Sequence, residues 1–225
     1  MRSKNRLILL SLLMLATVIT SLTSGDNAFV SYTASPENII MHWKDDTGKR
    51  LGSLKAFRQF VESKSKKLDF AMNGGMYQPG GSPLGLYIEN KLILSPIDTS
   101  DGKGNFYMKP NGIFCIDINN KASIITTPEY KADNNIKFAT QSGPMLVIDG
   151  KIHSSFVEDS ENTNIRNGIG ILPNGKVVMA MSREKINFYD FASYFKKLGC
   201  KNALLSGRSG LAHLLSFTKL VTNRR

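Results

Sequence analysis

Apolar positions along this chain fall into several rhythms, and each predicts a different element. From Leu7 to Ile19 they run almost unbroken, interrupted by Ser11 and Thr17. Between Phe29 and Trp43 they alternate loosely through Tyr32, Ile39, Ile40 and Met41, as early strands do. Asp45-Asp46-Thr47-Gly48 reads as a turn. Leu51, Leu54, Phe57, Phe60 and Val61 then recur at helical spacing, which predicts one amphipathic helix ending in the cluster Lys64-Ser65-Lys66-Lys67. Lysines suit a last turn, where the helix dipole is negative. Leu68 to Met72 predicts a strand returning to the core.

From Leu84 onward the pattern becomes a series of hairpins. Short apolar runs flank Glu89-Asn90, Asn119-Asn120, Asp149-Gly150 and Asn174-Gly175, and Asp-Gly or Asn-Gly between strands is a strong hairpin signal. A second helix follows, with Phe188, Phe191, Ala192, Phe195 and Leu198 as its apolar stripe. Asn187 is placed to cap its start, with Asp190 three residues on, and Gly199 stands where a left-handed residue ends a helix. Lys201-Asn202-Ala203-Leu204 leads into another strand. Two principal helices with a mixed, mainly antiparallel sheet built from hairpins make an α+β domain. The hairpins carry no sequence repeat, which argues against a propeller or solenoid.

The first apolar run gains meaning from its flanks. Arg2, Lys4 and Arg6 precede it without an acid, and Thr23, Ser24 and Gly25 follow. That is the order of a secretory signal peptide, so residues 1–25 are expected to be a leader and the protein exported, periplasmic or extracellular. The run is short for a membrane span; contact with a membrane is expected only if the segment stays uncleaved. The formal charge is +11, and +8 once the three leader cations are removed. Such a charge either favours anionic envelope polymers and phosphate-bearing substrates or marks a solvated lysine-rich surface. Basic runs here lack interleaved aromatics, so nucleic acid is not an expected partner. Cys115 and Cys200 each lie among apolar neighbours, and either a disulfide or two buried thiols is compatible with that.

Standard catalytic patterns are absent. His42, His153 and His213 show no metal-ligand spacing, and no nucleophile elbow, phosphate loop or dinucleotide fingerprint occurs. No cofactor is called for, and a divalent metal stays open. What remains is a set of glycine-rich polar tips. Asn73-Gly74-Gly75-Met76-Tyr77 ends an apolar run, and its paired glycines are expected to reach positive φ and bring the backbone close to whatever lies above; an ordinary hairpin turn is the alternative. The others are Asp101 to Phe106 with Lys109 to Gly112, Ala139-Thr140-Gln141-Ser142-Gly143-Pro144, and Asn164-Ile165-Arg166-Asn167-Gly168. Together they supply amides, a hydroxyl, a guanidinium and exposed N–H groups, a mixture that suits a sugar beside an anionic phosphate. Arg166 is the candidate for the phosphate because its fork binds one in bidentate fashion. Glycoside cleavage usually needs a carboxyl group, yet spacing singles out none of Glu89, Asp98, Asp101, Glu158, Asp159, Glu161 or Glu184. The catalytic residue is not readable.

These stretches resemble the phosphodiester glycosidase family, whose animal member is the lysosomal uncovering enzyme; its bacterial branch is the nearer likeness. AMNGGMY, PLGLYIEN, DGKGNFYMKPNG, ATQSGPMLVIDG, IRNGIG and NFYDFASYFKKLGCKNAL match it in order across most of residues 40–204. The resemblance implies hydrolysis of a sugar 1-phosphodiester between the anomeric carbon and the phosphate. It also implies that Asn73, Gly74, Gly75, Gln141, Ser142, Gly143, Arg166 and Gly168 line the site; Tyr77 joins them as the end of the first tip. A sugar phosphodiester or envelope glycan is the expected partner. After Asn202-Ala203-Leu204 the family continues Tyr-Leu-Asp-Gly, whereas this chain has Leu205-Ser206-Gly207-Arg208-Ser209. The codons TTA TCT GGA CGG spell Leu-Ser-Gly-Arg, and one base later they spell Tyr-Leu-Asp-Gly. Residues 26–204 are therefore expected to form the domain and residues 205–225 an atypical tail from a shifted frame, without the family's aspartate. The alternatives to an active enzyme are a catalytically inactive carbohydrate- or envelope-binding protein and a non-functional truncated product.

Overall fold

A computed structural model of the chain describes residues 28–207 and the backbone of residues 214–220. The expected leader, His213 and most of the expected tail lie outside the described residues. Among the described residues the architecture is α+β, with two α-helices and three sheets, and every strand pairing is antiparallel.

The early alternating positions form β1 (Phe29–Ala34) and β2 (Ile39–His42). Helix α1 (Leu54–Ser63) begins at Ser53, whose hydroxyl accepts the Ala56 N–H at 3.1 Å. The lysine cluster lies at a joint, not in the last helical turn: Lys64 caps the helix and Ser65 takes φ 55°. Lys66 and Lys67 already belong to β3 (Lys66–Asn73). The hairpins follow as β4 (Tyr87–Glu89) with β5 (Leu92–Ser95), β6 (Gly112–Asp117) with β7 (Ala122–Thr126), β9 (Met145–Ile148) with β10 (Lys151–Ile152), and β11 (Asn167–Ile171) with β12 (Val177–Ser182). Asp149 and Gly150 take φ 48° and 78°, the doubly left-handed turn that matches strand twist. The β4–β5 tip falls one residue later than expected, on Asn90 and Lys91 at φ 50° and 71°.

Strand β8 is Ile136–Ser142, α2 is Phe188–Lys197, β13 is Ala203–Gly207 and β14 is Leu214–Leu220. One six-stranded sheet runs β1-β12-β11-β13-β9-β10, a five-stranded sheet runs β5-β4-β8-β6-β7, and β14 lies between β2 and β3. Two-residue alternation assigns the faces of the six-stranded sheet. Val178, Ala180, Ala203 and Leu205 meet Phe191 and Phe195 of α2. Val177, Met179 and Leu204 turn the other way, to a central core with Met41, Met72, Tyr87, Phe114 and Phe138. Leu51, Phe57 and Val61 pack α1 against Leu68 and Ala71 of β3. Leu205 to Gly207 thus complete a strand inside the six-stranded sheet, flanked by β11 and β9.

Candidate functional site

The polar tips meet because the strands that carry them end together. Asn167 opens β11 opposite Gly207, the last residue of β13. The Leu205 N–H donates to the Pro144 carbonyl at 3.1 Å, which brings the end of β13 against the Ser142-Gly143-Pro144 corner. A Cβ on Gly207 would stand 3.2 Å from the Gly75 carbonyl oxygen and 3.7 Å from Asn73 Nδ2. The first, third and fourth tips therefore surround the end of β13. The paired glycines Gly74 and Gly75 do not take the positive φ expected of them, which falls beyond the tip at Gly80, Gly81 and Gly85 (97°, 77° and 75°); what Gly75 contributes is the close approach of its carbonyl.

Three side-chain oxygens at these strand ends, Ser142 Oγ, Asn167 Oδ1 and Ser206 Oγ, are buried and have no hydrogen-bond partner among the described residues. A buried polar group without a partner costs about 1–3 kcal/mol, and such groups in a native fold call for a functional explanation. Asn167 and Ser206 were not singled out in the sequence. Asn167 sits inside a quoted tip, but Ser206 had no signal of its own, since its place depends on β13 pairing with β11.

Other expected site residues turn out to position the site. Gln141 is fully buried. Its Oε1 accepts the N–H groups of Leu86 (3.0 Å) and Asp98 (2.9 Å), and its Nε2 donates to the Asp98 carbonyl (2.6 Å) and Thr127 Oγ1 (3.2 Å). All four polar capacities of the amide are thus used within the protein. Asp98 in turn accepts the Tyr107 hydroxyl at 3.3 Å. The Ser100 hydroxyl, chief among several donors, holds the Asp98 carboxyl below the usual carboxylate range, so it stays ionised.

Arg166 is 3% exposed. Its Nε donates to the Ile186 carbonyl (2.8 Å), its Nη2 to the Asn162 carbonyl (2.7 Å), and its guanidinium carbon lies 3.5 Å from the Phe188 ring centre. This side chain braces the loops beside α2 through these contacts. Gly168 is a packing glycine. A Cβ there would stand 3.0 Å from the Leu204 carbonyl oxygen and 3.1 Å from both Leu146 Cδ1 and Phe191 Cε1. Gly143 likewise lets the second tip press close, for its Cβ would come within 2.8 Å of the Phe106 carbonyl oxygen.

That second tip completes the site. A cleft of about 360 Å³ lies between it and the first tip, lined by Met76, Tyr77, Lys103, Asn105, Phe106 and Tyr107 among others. Its size falls at the lower end of small-ligand pockets. Tyr77, 37% exposed, and Tyr107 offer aromatic surface. Phe106 forms its floor, packed on Gly85, where a Cβ would stand 2.7 Å from Phe106 Cζ. No cluster of three or more potential metal ligands occurs among the described residues. Cys115 and Cys200 are buried free thiols.

A family model described as phosphodiester glycosidase matches residues 66–205, a span that includes all four polar tips and ends inside β13. The chain belongs to the phosphodiester glycosidase family. The chain is 38% identical over 168 residues to a protein named "Uncharacterized protein YigE" from Escherichia coli (strain K12), covering 74% of this chain. It spans 65% of that relative's length. Its fold is similar to the zebrafish N-acetylglucosamine-1-phosphodiester alpha-N-acetylglucosaminidase catalytic domain auto-inhibited by its pro-peptide. The TM-score is 0.51 at 14% identity, over 86% of this chain and 84% of that one. A hypothetical protein from Synechocystis is similar at TM-score 0.53 and 12% identity, over 84% of this chain and 59% of that one.

Proposed function

We propose that the protein is exported and that its strand-end site takes a sugar 1-phosphodiester and hydrolyses it between the anomeric carbon and the phosphate, giving free sugar and a phosphomonoester. The observation that carries this reading is the set of buried, unpartnered oxygens of Ser142, Asn167 and Ser206 beside the Asn73–Gly75 tip. Sugar hydroxyls are donors of the kind such acceptors lack, and the neighbouring cleft has room for the rest of the molecule. Family membership and the likeness in fold to the zebrafish domain support the substrate class. The chemistry is consistent with a site short of acids. A phosphomonoester departs as a stable anion, so the general acid that ordinary glycosides require is less needed than a cation that meets the departing charge.

One observation favours a second reading, binding without turnover: among the described residues no carboxylate lines the cleft, and β13 ends in Gly207 where the resemblance to the family implies an aspartate. The test is to incubate the purified chain with a methyl sugar-1-phosphodiester and follow both binding and reducing sugar. Saturable binding with stoichiometric release of sugar and methyl phosphate supports hydrolysis, and binding without product supports the second reading. No binding sinks both. The frame shift from about residue 205 stays part of the proposal; a gene whose neighbouring frame does not read Tyr-Leu-Asp-Gly after Leu204 would remove it.

A further inference from the structure

We infer that Lys103 is the cation that receives the phosphate of an anionic ligand in the Tyr77–Tyr107 cleft. The inference rests on the sugar-phosphodiester reading above and deepens it by assigning the phosphate subsite. Four observations converge on this residue.

The first is charge. Of the eight residues lining the cleft, Lys103 is the one that is charged, the others being Met76, Tyr77, Leu84, Gly104, Asn105, Phe106 and Tyr107. An anion entering there meets no carboxylate on the lining. The second is availability. Among the described residues Lys103 forms no ion pair, whereas its neighbour Asp101 is already answered by Lys109. Asp98 is answered by the Ser100 hydroxyl and N–H (2.6 and 2.9 Å) and by Tyr107. Lys103 is therefore the one cation lining the cleft and has no carboxylate partner among the described residues, while the ionised Asp98 is held behind the Tyr107 wall by neutral donors. Arg166, the other cation considered for the role, spends its Nε and Nη2 on backbone carbonyls and its face on Phe188.

The third is local geometry. Lys103 stands between two glycines that the turn requires. A Cβ on Gly102 would come within 2.6–2.8 Å of the Tyr107 ring, and Gly104 has φ 95°. The tip thus presents Lys103 as its projecting side chain, with Gly102 pressed on the Tyr107 ring and Gly104 open to solvent. The fourth is support. The wall behind it is fixed through Tyr107 to Asp98 and from Asp98 to the buried amide of Gln141, and Asn111 Nδ2 holds the Phe106 carbonyl at 3.0 Å. A lysine is a flexible point charge, and here it projects from a braced rim.

The test is isothermal titration calorimetry at low salt, using the full chain and its Lys103→Gln and Lys103→Arg variants. Three probes are titrated: the methyl diester of glucose 1-phosphate, methyl glucoside as its neutral counterpart, and phenyl phosphate. Lys103 is exposed on its loop, so unchanged thermal melting is expected in both variants. Lys103→Gln is expected to weaken the diester and phenyl phosphate by about tenfold or more, the scale of one hydrogen bond to a charged group. Methyl glucoside should bind all three proteins alike, and Lys103→Arg should recover most of the anion affinity. If wild type binds the diester and Lys103→Gln binds it equally well, the assignment of Lys103 falls while the substrate reading stands. If phenyl phosphate binds in a Lys103-dependent way and the diester does not bind, the anion site stands and the substrate reading falls. Binding of neither anion to wild type overturns both.

Discussion

Gln141 separates two kinds of site residue, and its replacement by leucine shows which kind it is. If its amide is a structural pin, Gln141→Leu removes four hydrogen bonds and keeps most of the side-chain volume. The Asp98 N–H and carbonyl lie near the surface and regain water. The Leu86 N–H and the Thr127 hydroxyl are sealed, and each costs about 1–3 kcal/mol when left unpaired. The sum is about 2–6 kcal/mol, a large share of the roughly 5–15 kcal/mol that holds a domain of this kind together. Urea unfolding at constant slope reads it as a shift in midpoint, and the variant should also lose anion binding as the Asp98–Tyr107 wall loosens. A midpoint shift worth less than about 1 kcal/mol, together with lost binding, would refute the pin. It would mean that Gln141 acts on the ligand directly.

Other positions test the same frame. Gly168→Ala drives a methyl into the Leu204 carbonyl, Leu146 and Phe191, and should cost about 1–3 kcal/mol in urea unfolding; a neutral result would mean that the strand yields without loss. Burial pushes the thiol of Cys115 up to about 12 and that of Cys200 up to about 11, so a thiol reagent at pH 8 should label neither until denaturant is added. His153 accepts the Ser155 N–H at Nδ1 and donates from Nε2 to the Lys109 carbonyl (both 3.1 Å), a neutral ring whose pKa burial lowers from the usual 6.5. The unfolded chain therefore takes up this proton at higher pH than the folded one, so stability should be level above 6.5 and fall as pH drops below it. Melting temperatures across about pH 5–8 should lose part of that slope in His153→Gln; an unchanged slope would assign it to other groups.

What could be read from the sequence was what a few neighbouring residues decide. Asp149-Gly150 carries its own turn geometry, and Asn187 finds the N–H of Asp190 at 2.8 Å three residues away. Both helices and the hairpin series follow from such local terms. The lysines after α1 misled because charge alone does not separate a helix end from the strand that follows it: Lys66 and Lys67 are strand residues on an exposed joint. The roles of Gln141 and Arg166 were hidden for another reason. Gln141 is defined by Leu86 and Asp98, 55 and 43 positions away, and Arg166 by Ile186, 20 positions on. A polar residue in a glycine-rich tip looks the same whether it faces a ligand or a carbonyl brought in by the fold. Lys103 was overlooked for the converse reason, since a single lysine on a loop becomes notable only when its neighbours' charges are seen to be paired.

The decisive measurement is a single reaction: the purified full chain with the methyl diester of glucose 1-phosphate, with reducing sugar and methyl phosphate quantified over time. Equal, enzyme-dependent accumulation of the two products, reduced in Lys103→Gln, is the expected result. No saturable binding and no product from this diester, or from a panel of other sugar 1-phosphodiesters, would contradict the assignment of the strand-end site.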